Sequence, residues 1–210
     1  MQILLTAPTT KEIEFFSGCD NNKTDTLVSG VGSPSTLYQL QKRIHQIDYD
    51  LVIQAGIAGS FTDDLELGST VIVQRDTFAD LGVEENGSFI NIFDMGLSDR
   101  NDFPFNNGWL INKHPLLDRT NLEVVTSVTV NKLSDTLLQK KRYIDMYGAR
   151  IETMEGAALH YVCLQEGIPF IQLRSISNYV GERDKSKWKM EIALVNLRTE
   201  LFRFMNLSTI

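Results

Sequence analysis

Leu51-Val52-Ile53-Gln54-Ala55-Gly56-Ile57-Ala58-Gly59-Ser60 begins as an apolar run of strand length and passes into small residues. Residues 51–55 read as a buried strand. The glycines after it would let a ligand approach the backbone closely, although a plain strand-to-helix turn fits the same spacing. Similar apolar runs occur at residues 2–6, 26–31, 69–73, 122–130 and 169–175. Segments of helical spacing lie between them at 35–46, 134–146, 153–165 and 187–204. Strands alternating with helices predict an α/β fold, a three-layer sandwich around a mixed, largely parallel twisted sheet. Residues 1–210 are expected to form one domain, with the active site where strands end and loops begin.

Residues 77–121 break this rhythm. They are rich in Gly, Asn and Asp, with Phe78, Phe89, Phe93, Phe103, Phe105 and Trp109 scattered among them. A structureless loop of that length is uncommon in a compact domain, so a functional excursion or a lid with structure of its own is expected.

The composition narrows the function classes. The chain is 42% hydrophobic and 22% charged, ordinary values for a globular protein, with no apolar run of membrane length. A formal charge of −7 would repel a polyanion, so neither nucleic acid nor membrane is an expected partner. Two cysteines, Cys19 and Cys163, are too few for a disulfide framework. With no secretory signal pattern at the N-terminus, a cytoplasmic location is expected.

Several groups could carry chemistry. Gly30-Val31-Gly32 follows a strand and precedes a helix, but it lacks the third glycine and the distal acid of a dinucleotide fingerprint. In Glu152-Thr153-Met154-Glu155-Gly156-Ala157-Ala158 two carboxylates stand at the start of an apolar helix, where capping alone would account for either. The small residues after Glu155 would leave room for a ligand or another backbone. Glu12 opens the first helix, with capping again the bland account and Glu14 the better candidate for solvent. Arg174 follows the apolar run Phe170-Ile171-Gln172-Leu173, and a cation there needs a buried partner. Ser177 and Asn178 after it could be turn residues. His45, His114 and His160 share no metal-ligand spacing, and no metal site is expected.

Four blocks, residues 53–60, 67–73, Met154-Glu155-Gly156-Ala157-Ala158 and Arg174-Ser175-Ile176-Ser177-Asn178, resemble in order and spacing the nucleosidase branch of the purine nucleoside phosphorylase superfamily. The likeness spans nearly the whole chain. It implies a nucleoside phosphorylase-like fold and a small-molecule nucleoside substrate, with no cofactor. By the same resemblance Glu155 would grip the ribose hydroxyls beside Met154, Glu12 would activate the attacking water, and Arg174 would support them. Gly56 and Ile57 would line the substrate site, Ser177 would precede the purine reader Asn178, and residues 126–132 would cover the base. There Val128 and Val130 stand where related nucleosidases place a stacking phenylalanine.

Related adenine-specific enzymes carry aspartate at the position of Asn178, and 6-oxopurine enzymes tend to carry asparagine. Residues 177–184, followed by Trp188, are similar to the corresponding segment of the futalosine hydrolases of menaquinone biosynthesis. That likeness implies futalosine as substrate, hypoxanthine as the released base, and a homo-oligomer in which a neighbour closes the site. The alternatives are an adenine-type nucleosidase, a purine nucleoside phosphorylase and a non-catalytic ligand-binding module on the same fold. Residues 6–12 lack the cationic phosphate cradle of a phosphorylase.

Overall fold

A computed structural model of the protein describes residues 1–16 and 23–208. Cys19 lies outside the described residues. The elements run β1 (Ile3–Ala7), α1 (Thr10–Ile13), β2 (Thr24–Val28), α2 (Ser33–Ile44), β3 (Leu51–Ser60) and β4 (Thr70–Asp76). They continue with β5 (Gly82–Glu85), β6 (Ser88–Asn91), β7 (Leu110–Ile111), β8 (Glu123–Thr129) and α3 (Leu137–Tyr147). The chain closes with β9 (Ile151–Thr153), α4 (Gly156–Gln165), β10 (Phe170–Tyr179) and α5 (Met190–Ser208).

Alternation along β1 and β3 divides the sheet's two faces. Leu4 and Val52 point to one side and pack with Leu40 and Ile44 of α2 and Leu159, Val162 and Cys163 of α4. Ile3, Leu5, Leu51 and Ile53 point to the other and pack with Leu197, Leu201 and Phe204 of α5. Helices on both faces of one sheet make the expected sandwich, since each apolar helix face must be buried against a layer. The sheet is mixed: β1 pairs in parallel with β2 and β3, and β10 pairs in parallel with β3 but antiparallel with β4.

Beyond the sandwich, the sheet also closes on itself. The order β10-β4-β8-β9-β3 returns to β10 through the β10–β3 pairing. Ala58, Leu65, Val71, Val73, Val125, Ile151 and Ile176 form an apolar cluster among these closing strands. Closure depends on β3 being long. Its glycines do not turn the chain into a helix; the strand runs unbroken to Ser60, so the turn reading of this run does not hold. Pairing with β10 on one side and with β9 at Gly59 and Ser60 holds the small residues extended.

Residues 77–121 have structure of their own, as expected of the excursion. β5 and β6 form a hairpin around Asn86 and Gly87, both with positive φ, as a two-residue turn between twisted strands requires. The rest of the excursion packs away from the main cavity. Phe78 and Phe105 lie against Tyr161 of α4, and Trp109 lies against Tyr147 of α3. Among the described residues no helix is long and apolar enough to cross a membrane.

Candidate active site

A cavity of about 580 Å³ opens where β3, β9 and β10 end and α1 and α4 begin. Its walls include Thr9 and Glu12 from the start of α1, Ile57 to Gly59 from β3, Glu152 to Glu155 from β9 and the turn after it, and Ser177 and Asn178 from β10. Val31, Leu133, Arg183, Trp188 and Met190 complete much of its rim.

Glu155 occupies the cap position of α4 yet makes no side-chain bond to that helix. Its carboxylate is buried and turns instead to Gly32, whose N–H donates to Oε1 at 2.9 Å, and to Arg174, whose Nη1 lies 3.7 Å from Oε2. Capping therefore does not explain Glu155. Burial pushes its carboxyl above the ordinary carboxylate range, against the pull of the Arg174 charge. Gly32 reaches this carboxylate with a φ of 88°, where a side chain would be strained, so the Gly30-Val31-Gly32 turn serves Glu155.

Glu12 caps α1 and also lines the cavity. Oε2 accepts from the Thr9 N–H at 3.0 Å and the Thr9 hydroxyl at 2.6 Å, part of a capping box. Oε1 accepts from Ile57 N–H at 3.1 Å on the cavity wall. Glu14 does not line the cavity and is exposed.

Arg174 is fully buried and has the partners its position demands. Besides Glu155 it donates through Nη2 to Gln54 Oε1. Gly56, opposite Arg174 in the sheet register, makes room: a Cβ there would lie 2.2 Å from Arg174 Nη1 and 3.1 Å from Glu12 Oε1. Gly56 thus sits beneath the site and does not line it, while Glu12, Arg174 and Glu155 converge around it. Arg174 Nη1 and Nε have no hydrogen-bond partner among the described residues.

At the other end of the cavity a bulge in β10 places Ser177 as an extra residue between Ile176, opposite Ala58, and Asn178, opposite Gly59. Bulges re-aim the side chains beside them. Here the Asn178 side chain joins the wall, with its Oδ1 2.8 Å from the Ser177 hydroxyl. Glu152 belongs to β9 and not to the helix, so it caps nothing. Its carboxylate accepts from Ser134 N–H at 3.1 and 3.2 Å and from the Ser134 hydroxyl, fixing the loop before α3 against the cavity.

Val128 and Val130 are not brought into the site. Both are fully buried in an apolar cluster with Phe61, Tyr143 and Val180, of which only Val180 reaches the cavity wall. Alternation in β8 turns them inward, and Leu133 and Ser134 from the following loop line the cavity instead. The room beside Gly156 is likewise filled from within, because a Cβ there would lie 2.2 Å from both Asp76 Oδ2 and Gln172 Nε2. His160 is a packed histidine: Nδ1 meets the Leu110 carbonyl at 2.9 Å, Phe170 lies against the ring, and burial lowers its pKa to about 4. No metal-binding group of His, Cys, Asp and Glu occurs among the described residues.

Sequence reasoning missed Gln54, Asp76 and Gln172, all fully buried beneath the site. The signal was present in Gln54 and Gln172, each a polar residue inside an apolar strand, the argument already applied to Arg174.

Residues 8–204 match the phosphorylase superfamily. The chain is 31% identical over 154 residues to the futalosine hydrolase of Streptomyces coelicolor, covering 71% of this chain and 62% of that one. It is 30% identical over 191 residues to the futalosine hydrolase of Acidothermus cellulolyticus, covering 82% and 71%. The solved structure of futalosine hydrolase of Helicobacter pylori superimposes with a TM-score of 0.75 at 17% identity, covering 95% and 98%.

Proposed function

The chain belongs to the phosphorylase superfamily, and on that premise we propose that it is a nucleosidase that hydrolyses the N-ribosidic bond of futalosine, releasing hypoxanthine and dehypoxanthine futalosine for menaquinone biosynthesis. The observation that carries this reading is the convergence of two carboxylates and one guanidinium at Gly56. Two acids against one base leave the locus net negative. A phosphate dianion would meet repulsion there, whereas a water could donate to a carboxylate.

Breaking the bond builds positive charge on the ribose and negative charge on the leaving base, so both ends need stabilisation. Glu155 would hold the ribose hydroxyls and offset the oxocarbenium charge, with Met154 and Ile57 against the sugar. Glu12 would take a proton from the attacking water, and Arg174, fully buried and not part of the cavity wall, would support the Glu155 carboxylate from beneath. Asn178 would read the base: its amide donates to O6 and its carbonyl accepts from N7 as that atom gains a proton. Ser177 would steady the Asn178 side chain. The similarity to futalosine hydrolases supports the substrate. The reading includes a cytoplasmic homo-oligomer, supported by the resemblance to enzymes that pair subunits.

Base release from futalosine, measured with and without phosphate, tests this. Equal rates are expected, and release that requires phosphate would make the protein a phosphorylase.

A further inference from the structure

The cap position of a helix normally claims its side chain, because the first amides of the helix lack partners within it. Glu155 escapes that duty because two threonines perform it. Gly156 N–H donates to Thr153 Oγ1 at 3.2 Å, and Ala157 N–H donates to Thr129 Oγ1 at 2.7 Å. Thr129 and Thr153 are paired in register on β8 and β9, with their hydroxyls 3.2 Å apart. Each hydroxyl has one proton, so accepting from the helix leaves that proton to be placed elsewhere. Thr153 can give its proton to Thr129, and Thr129 gives its own to Asp76 Oδ1 at 3.0 Å.

Asp76 ends this chain as an acceptor. It is fully buried at the end of β4, held by Thr77 N–H at 2.8 Å on Oδ1 and by Gln172 Nε2 at 3.4 Å on Oδ2. Without it the two hydroxyls have no fixed direction, and their lone pairs are not committed to the helix. The absence of a Cβ at Gly156 is what allows the carboxylate this close to the first turn.

We infer that Asp76 is a positioning residue for Glu155: through Thr129 and Thr153 it caps α4, which leaves the Glu155 carboxylate to face Gly32, Arg174 and the cavity. The inference rests on the proposed function, in which Glu155 acts on the ribose. Loss of the relay would return Glu155 to the bare helix amides, so the relay and Glu155 act as one unit.

The test measures kcat and KM for futalosine in Thr129→Val, Thr129→Ser and Asp76→Ala, each alone and combined with Glu155→Gln. Thr129→Val, isosteric but without the hydroxyl, is expected to lower kcat by about tenfold or more, as small misplacements of a reacting group do. Its KM should change far less, and Thr129→Ser should keep near-normal turnover. In the Glu155→Gln background the same Thr129→Val change should cost less than about twofold, because coupled residues are not additive. Equal losses in both backgrounds, or no loss in a folded Thr129→Val variant, would overturn the inference. If Thr129→Val does not fold, Asp76→Ala, which removes the acceptor at the end of the chain, bears the same comparison with the same two outcomes. Glu155→Gln alone reports on the functional reading: if it is silent, that reading and the inference fall together. If it is damaging and the losses are additive, only the inference falls.

Discussion

Glu155 and Arg174 face each other across 3.7 Å with both side chains shut away from solvent. Neither could be buried alone without a large electrostatic cost, so the pair is committed to its geometry. Glu155→Gln leaves the buried Arg174 charge with only Gln54 as partner, so the variant should be less stable. Where it folds, it should turn over futalosine more slowly by a factor on the order of 10² or more, the scale of one lost transition-state contact. Unchanged turnover in a folded variant, checked by circular dichroism, would remove Glu155 from the mechanism.

Burial raises the pKa of Glu155, and the proposed role needs the carboxylate ionised. Activity should therefore fall as pH drops through a value above the ordinary carboxylate range. A pH profile of kcat/KM in the wild type should show that acid limb. Its persistence unaltered in Glu155→Gln would assign the limb to another group.

Glu12 in α1 lines the cavity, while Glu14, just past the end of α1, is exposed. Glu12→Gln should cut kcat much more than it weakens binding, because a base acts mainly in the transition state. Glu14→Gln, at an exposed carboxylate, should be nearly silent. The reverse pattern in steady-state kinetics would show that the wrong carboxylate faces the water.

Asp76 has its pKa raised from 3.8 to about 6, chiefly by burial. The folded state therefore binds the proton more tightly than the unfolded chain. This group's contribution to stability is complete below about pH 3.8 and is lost as pH rises through about 6. Asp76→Asn removes the titration. Relative to wild type, the variant should gain up to roughly 3 kcal/mol between pH 4 and pH 7. Urea denaturation at several pH values measures the difference, and a constant difference would contradict the assignment.

The fold was legible because most of the long buried strands carry an apolar run and most helices lie close to where spacing placed them, whereas the short buried β9, Ile-Glu-Thr, has no such run. Closure of the sheet was not legible, because it depends on β10 pairing with β3 and β4 at once, a tertiary fact with no local signature. The hairpin at Asn86-Gly87 did carry a local signal, a turn pair that requires positive φ, and it was overlooked within a polar stretch. In the site, the carboxylates and Arg174 could be located from their neighbours. The roles given to Val128 and Val130 came from resemblance, and the inward alternation of β8 removes both side chains from the cavity. Val128→Ala should accordingly cost about 2 kcal/mol of stability and leave the choice of base unchanged.

In the proposed function the choice of base rests on Asn178, whose amide would suit a 6-oxopurine and would set donor against donor at a 6-amino group. Sites that hydrogen-bond a substrate group reject the wrong analogue by roughly 10⁴-fold, because buried polar atoms are left unpaired. The decisive measurement is the ratio of kcat/KM for futalosine over aminofutalosine in the wild-type protein, followed as release of hypoxanthine or adenine. The account predicts a preference for futalosine of several orders of magnitude, narrowed by Asn178→Asp. Equal cleavage of the two nucleosides, a preference for aminofutalosine, or no release of hypoxanthine would contradict it.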